Sequence, residues 1–96
     1  MSCYFIVHIN IKNETEYQKY LDNTDDIFKK FNGKYLAVDN SPMVLEGKWN
    51  YSRTVLIKFD NKHDFEKWYY SDEYQYILKF RLNAAHCDSI LISAND

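Results

Sequence analysis

The residues best suited to chemistry surround one predicted turn. Glu46 precedes Gly47, Trp49 follows it, and Arg53 begins an apolar run. A guanidinium matches a carboxylate with two parallel N–H groups, and only two of the twelve basic residues are arginines, Arg53 and Arg81. We therefore interpret Glu46 and Arg53 in two ways. In the first, they form a structural salt bridge. In the second, Arg53 or Arg81 clamps a substrate carboxylate while Glu46 acts as a base or orients the substrate.

His8 is a second candidate catalytic residue. Imidazole titrates near neutral pH and suits proton transfer, although a histidine in the middle of a strand is also typical of an interface. The three histidines, His8, His63 and His86, stand in separate elements. No pair has the spacing of metal ligands, so we expect neither a metal nor another cofactor. Cys3 and Cys87 are expected to be reduced thiols.

Three aromatic residues, Trp49, Trp68 and Tyr74, form the third group. Aromatic residues at helical spacing usually belong to a core, and the alternative is that they form the walls of a pocket for a flat ligand. Both interpretations remain open from sequence.

Composition limits the classes of protein to consider. The chain has 96 residues, enough for a single domain spanning 1–96, and its hydrophobic content of 46% is incompatible with disorder. A net charge of −2, spread along the chain, argues against nucleic acid or an acidic membrane as partner. The apolar run at residues 3–9 lacks a basic segment before it and is too short for a membrane span, so a cytoplasmic location is expected.

Periodicity predicts the order βαββαβ. Alternation indicates strands at 3–11, 34–39, 53–59 and 89–94, with a further extended piece possible at 43–49. Helical spacing indicates one helix at about 14–31, capped by Asn13, and another that begins after Asp60 or Asn61 and restarts at Ser71.

This order predicts a ferredoxin-like α+β plait: a four-stranded antiparallel sheet in the order 4-1-3-2 with both helices on one face. The other face carries Tyr4, Ile6 and His8, and no spare element covers it. A second copy of the same sheet is the economical cover, so a homodimer through the sheet face is predicted. RNA-recognition domains share the plait, but Thr54, Leu56 and Lys58 replace their stacking aromatics.

The same topology brings several polar and aromatic residues to one end of the sheet. The predicted meeting point comprises Asn10, Tyr17, Glu46, Trp49, Arg53, Arg81 and His86.

The sequence resembles the domain of unknown function 1330 family, within the dimeric α/β barrel superfamily. The resemblance covers nearly the whole chain and rests on Tyr4, the strand end 8–11, Tyr17, Tyr20, Leu45-Glu46-Gly47, Trp49, Arg53, Trp68-Tyr69, Ser71, Glu73-Tyr74-Gln75 and Arg81. It departs from the family where Asn13-Glu14 replaces an Asp-Pro pair and where Asn32-Gly33 keeps half of a Gly-Gly turn. It implies a ferredoxin-like homodimer with a pocket in each subunit between sheet and helices, and no established reaction.

Three functions follow as hypotheses. The leading one is a homodimer that binds a small carboxylate or aromatic acid in a pocket lined by Asn10, Tyr17, Glu46, Trp49, Arg53, Trp68, Tyr74 and Arg81. The second is a cofactor-independent enzyme of the superfamily, a monooxygenase or isomerase, in which Glu46, Arg53 and His8 are catalytic. Relatives of that kind use Asn, Trp and His, and Asn10 with Trp68 would supply part of this set. The third is a structural or regulatory dimer without a ligand.

Overall fold

The computed structural model describes all 96 residues. Its elements are β1 (Cys3–Ile11), α1 (Glu14–Phe28), β2 (Gly33–Asp39), β3 (Arg53–Phe59), α2 (Lys62–Tyr69), α3 (Asp72–Ala84) and β4 (Ala85–Ser93). The strands form one antiparallel sheet in the order β2-β3-β1-β4, and this confirms the predicted ferredoxin-like topology. None of the helices is both long and apolar enough to cross a bilayer.

Side-chain caps set the starts of the helices. Asn13 Oδ1 accepts the Glu16 backbone N–H, Asn61 Oδ1 accepts that of Asp64, and Ser71 Oγ accepts that of Tyr74. Each bond satisfies a donor that the first helical turn leaves without a partner. The predicted restart at Ser71 is therefore a real break, which divides the second helical segment into α2 and α3.

Three predicted boundaries were wrong. Helix α1 ends at Phe28 rather than near residue 31, because the chain turns early and β2 passes close to the Phe28 ring. A Cβ on Gly33 would lie 2.3 Å from that ring, so only glycine fits there. Strand β4 begins at Ala85 rather than at 89, since it pairs with β1 along its full length. The segment 43–49 forms no strand.

The core lies between the helices and one face of the sheet. Alternate residues of the two central strands point into it, including Phe5, Val7 and Phe59. Trp68 is 1% exposed and Tyr74 is fully buried, so both rings pack in the core. Their rings lie 4.2 Å apart between centroids.

The opposite face, here named the open face, has no helix over it. Cross-strand pairing places Leu56, Ile6 and Ile90 in one row and Lys58, Tyr4 and Ile92 in the next. Ile90 is 57% exposed and Ile92 42% exposed. Within the single chain the apolar side chains of these two rows contact water, and Lys58 is the one charged residue among the six.

Candidate functional site

A small enclosed cavity lies between the sheet and the helices. We name it the helix-face cavity; its volume is about 30 Å³. Apolar side chains of β1 and β3 form its wall on the side of the sheet. The lining residues that carry polar side-chain atoms are Tyr17, Tyr20, Thr24, Tyr35, Arg53, Trp68 and Arg81. Helix α1 supplies the first three, strands β2 and β3 the next two, helix α2 Trp68 and helix α3 Arg81.

Buried polar atoms without a partner are confined to this cavity's lining. They are Thr24 Oγ1, Arg53 Nε, Trp68 Nε1, and Nε and Nη1 of Arg81. Four of the five are N–H donors, and the hydroxyl can also donate. Since buried polar groups are nearly always hydrogen-bonded in native proteins, such a group of unpartnered donors marks a place for an acceptor from outside the chain, a water molecule or a bound ligand.

Arg81 is the most unusual of these residues, because its side chain carries a charge yet is only 2% exposed. Its Cζ lies 5.6 Å from the centre of the Tyr20 ring, and the Tyr20 and Tyr74 hydroxyls are 2.7 Å apart beside it. Burial alone would lower the pKa of Arg81, but the phenolic oxygens of Tyr74 and Tyr20 raise it overall. The guanidinium is therefore charged, and no carboxylate lines the cavity to balance it.

Arg53 contributes a second guanidinium at the edge of the cavity. Its Nη1 donates to Asn40 Oδ1 at 2.8 Å, and its Cζ lies 5.8 Å from the centre of the Tyr17 ring. Burial raises the pKa of Tyr17, an effect that the nearby charge of Arg53 partly offsets. The phenol is neutral at neutral pH, so the cavity carries two positive charges and no negative one.

A second, larger pocket lies on the open face beneath the loop that joins β2 to β3. We name it the open-face pocket; its volume is about 350 Å³. His8 and Thr54 form its floor, the loop residues Glu46 and Trp49 stand beside them, and the apolar stretch 42–45 completes the wall. Gly47 has φ of 85°, a left-handed conformation that lets the loop reverse immediately after Glu46.

The predicted single site is therefore wrong in one respect: the sheet divides it. Tyr17, Arg53, Trp68 and Arg81 line the helix-face cavity, whereas His8, Glu46 and Trp49 line the open-face pocket. Glu46 makes no salt bridge with Arg53 or any other residue. The reason is the alternation of β3, which directs Arg53 toward the helices, while the loop carries Glu46 over the other face.

The remaining predicted site residues lie outside both cavities. Asn10 donates to Asn50 Oδ1 at 3.2 Å on the open-face side. Tyr74 is enclosed in the core, where burial raises its pKa well above the ordinary value. His86 is exposed, and its Nε2 lies 3.1 Å from Asp88 Oδ2.

The sequence analysis missed several residues that the structure brings into these regions, among them Thr24, Tyr51 and Asp88. Thr24 lines the helix-face cavity, and only its position on the apolar stripe of α1 could have indicated this. Beside the open-face pocket, the Tyr51 hydroxyl donates to Asp88, and this hydrogen bond lowers the pKa of Asp88. Asp88 pairs with His8 across β1 and β4, so correct register would have identified it.

No group of three or more His, Cys, Asp or Glu side chains is arranged to hold a metal ion. Both cysteines are free thiols. The chemistry that the structure brings together is therefore that of guanidinium donors on one face, and of a carboxylate, an imidazole and an indole on the other.

The sequence matches the family model described as Domain of unknown function (DUF1330) over residues 2–95. No curated protein has a significant sequence match. The fold is similar to that of RPA0582, a protein of unknown function from Rhodopseudomonas palustris, with a TM-score of 0.82 and 13% identity over 99% of this chain and 83% of that one.

Two further structures share the fold. A dimeric ferredoxin-like protein of unknown function from Jannaschia sp. has a TM-score of 0.76 and 8% identity, covering 98% of this chain and 100% of its own. SnoaB, a cofactor-independent oxygenase from Streptomyces nogalater, has a TM-score of 0.71 and 10% identity, covering 99% of this chain and 94% of its own. At these identities the likeness concerns the fold alone.

Proposed function

The chain belongs to the domain of unknown function 1330 family, and from that premise we propose that it is a homodimer that binds a small carboxylate or similar anion in the helix-face cavity. The observation that carries the proposal is the buried guanidinium of Arg81, which has two unpartnered N–H groups and faces no carboxylate. A buried charge is normally paired, because the desolvation of an unpaired one costs several kcal/mol.

An anion would satisfy these groups together. Planar oxyanions accept two parallel N–H bonds from a guanidinium, and charge-assisted bonds of this kind are roughly twice as strong as neutral ones. The indole N–H of Trp68 and the hydroxyl of Thr24 line the same cavity and are equally unpartnered. An uncharged ligand would leave the two positive charges of Arg53 and Arg81 unbalanced.

The size of the cavity restricts the anion. A single water needs about 10 to 15 Å³ of such volume, so a cavity of about 30 Å³ holds roughly two waters. Formate, nitrate and acetate are of this order, whereas the ring of an aromatic acid requires Trp68 or Tyr17 to move. Of the two ligand classes considered from sequence, the structure favours the small carboxylate.

The test is a thermal-shift series with sodium formate, acetate, nitrate and benzoate at constant ionic strength. A ligand that binds only the folded protein stabilises it by mass action, by about 2.7 kcal/mol at one hundred times its Kd. We expect the small anions to raise the melting temperature and benzoate to raise it less. The variant Arg81→Met should lose the response.

The matched control for that variant is Lys79→Met, which removes one positive charge from the exposed side of the same helix. It should keep the wild-type response. If no small anion stabilises the wild type, the proposal is wrong and the chain is better described as a dimer without a ligand. If Lys79→Met loses the response as completely as Arg81→Met, the effect is one of net charge.

The homodimer is the second part of the proposal, and the two exposed apolar rows of the open face support it. The Jannaschia protein of similar fold is described as dimeric. A stable interface removes more than about 1,000 Å² from water, which a sheet face of this kind can supply. Sedimentation equilibrium at micromolar concentration should give twice 11.6 kDa for the wild type. The variant Ile6→Asp should give 11.6 kDa alone.

An enzyme of the SnoaB type has less support from the arrangement of residues. The helix-face cavity contains no His, Asp or Glu to accept a proton, and burial raises the pKa of Tyr17. Binding and orienting an anion is what its residues are equipped to do. We also propose a cytoplasmic location, which two free thiols favour.

A further inference from the structure

The open-face pocket has the opposite charge to the helix-face cavity. The carboxylate of Glu46 is its only formally charged lining group, and no lysine or arginine lines it. That carboxylate forms no hydrogen bond or ion pair within the protein. With a volume of about 350 Å³, the pocket falls within the range of sites for small organic ligands.

Aromatic groups form the side of the pocket next to the sheet. The Trp49 ring lies edge-on to His8 with centroids 4.7 Å apart, and Tyr51 packs behind both, 5.1 Å from Trp49. His8 Nδ1 is engaged with Thr54 Oγ1 at 3.0 Å, whereas its Nε2 forms no hydrogen bond. An aromatic face beside a free carboxylate is the arrangement that recognises organic cations.

Apolar residues form the opposite side. The stretch 42–45 lines the pocket, and within it Met43 is 85% exposed and Leu45 84% exposed. Apolar side chains held this far into water gain free energy when a ligand with a hydrocarbon or aromatic body covers them. The lining therefore favours a ligand with one apolar part and one cationic part.

We propose that the open-face pocket is a second ligand site, for an aromatic or aralkyl amine, with Glu46 as counter-ion and Trp49 as the ring on which the cation and its aromatic body pack. This site is independent of the anion site proposed above, because the sheet separates them and they have no lining residue in common. It also contains none of the residues of the two rows through which the homodimer is proposed to form, since its floor is the next row of the sheet, His8 and Thr54.

The probe is phenethylamine, with 3-phenylpropionate as a control of similar size and opposite charge, titrated calorimetrically into the full-length protein. Phenethylamine is expected to bind and 3-phenylpropionate to bind at least about tenfold more weakly, since a carboxylate beside Glu46 is repelled. Phenethylamine does not absorb at 295 nm, the wavelength at which tryptophan fluorescence is excited. Binding should therefore also change the fluorescence of Trp49, which is 39% exposed, and leave that of buried Trp68 unchanged.

Variants at two positions identify the pocket, and both positions lie in a loop outside the core. Glu46→Gln should weaken phenethylamine binding by about tenfold or more, the factor expected for a lost charge-assisted contact. Trp49→Leu should weaken it as well, while Trp49→Phe should keep part of the affinity. Glu66→Gln, the same change on the exposed surface of α2, is the matched control and should bind like the wild type.

The proposal is overturned if phenethylamine does not bind, if both probes bind equally, or if Glu46→Gln and Glu66→Gln bind it with the same affinity. None of these results bears on the anion site, which is tested by the thermal-shift series with small anions and the Arg81→Met variant.

Discussion

The two faces of the sheet carry pockets of opposite charge. On the helix face, strands and helices surround a cavity that has two guanidiniums and no carboxylate. On the open face, one loop covers a pocket whose only formal charge is the carboxylate of Glu46. A sheet only one layer thick separates them. The difference shows that residues close together in sequence, such as Glu46 and Arg53, can line pockets of opposite charge.

The largest expected effect compares two apolar residues of β3 that point to opposite faces. Phe59 is fully buried on the helix face, whereas Leu56 is half-buried on the open face. Phe59→Ala should lower the free energy of unfolding by about 3 to 5 kcal/mol, since it leaves a cavity in the core. Leu56→Ala should instead weaken dimerisation. Urea denaturation and sedimentation of both variants measure the two effects, and equal losses of unfolding free energy in the monomer would contradict the assignment of faces.

An intermediate effect is expected for two tyrosine hydroxyls. The Tyr20 hydroxyl pairs with that of Tyr74 inside the core, 2.7 Å away, whereas that of Tyr51 donates to the exposed Asp88. Tyr20→Phe leaves the Tyr74 hydroxyl buried without its partner and should cost about 1 to 3 kcal/mol of stability. Tyr51→Phe should leave the melting temperature nearly unchanged, because water replaces the lost bond. A larger loss of stability in Tyr51→Phe than in Tyr20→Phe would contradict this prediction.

The smallest effect at neutral pH concerns Tyr35, at the edge of the helix-face cavity. The residue is 38% exposed as a whole, but desolvation of its phenol raises its pKa from 10.0 to about 12. The folded state therefore holds the phenolic proton more tightly than the unfolded state, so this contribution to stability is complete below pH 10 and is lost as the pH rises through about 12. Thermal melts followed by circular dichroism should show that the melting temperature declines across this pH range. The decline should be shallower in Tyr35→Phe than in the wild type.

The matched control for this experiment is Tyr70→Phe, which removes a phenol that is 66% exposed. The melting temperature of this variant should decline with pH as that of the wild type does. If Tyr35→Phe and the wild type lose stability in parallel between pH 10 and 12, Tyr35 is not the group responsible.

The sequence was sufficient to predict the fold because strands and helices each produce a periodic pattern of apolar residues. Alternation in β1 and β3, the caps at Asn13 and Ser71, and the order of elements determined the topology correctly. The site was harder, because the predicted meeting point used the end of the sheet and ignored its two faces. Strand residues such as Arg53 have a face fixed by alternation, but a loop residue such as Glu46 takes the face toward which its turn directs it.

Burial of charge was the other feature that sequence could not provide. Arg81 falls on the same stripe of α3 as Tyr74, Ile77 and Leu78, which is how the sequence placed it near the core. Its two unpartnered N–H groups depend on the positions of residues from five other elements, and no local pattern records these positions.

The most direct test of two separate, oppositely charged sites is a cross-titration. Acetate and phenethylamine are each titrated calorimetrically into the wild type, Arg81→Met and Glu46→Gln. The account predicts that Arg81→Met loses acetate binding and keeps phenethylamine binding, and that Glu46→Gln does the reverse. If either variant loses both ligands while remaining folded, the two cavities act as one site and the account is wrong.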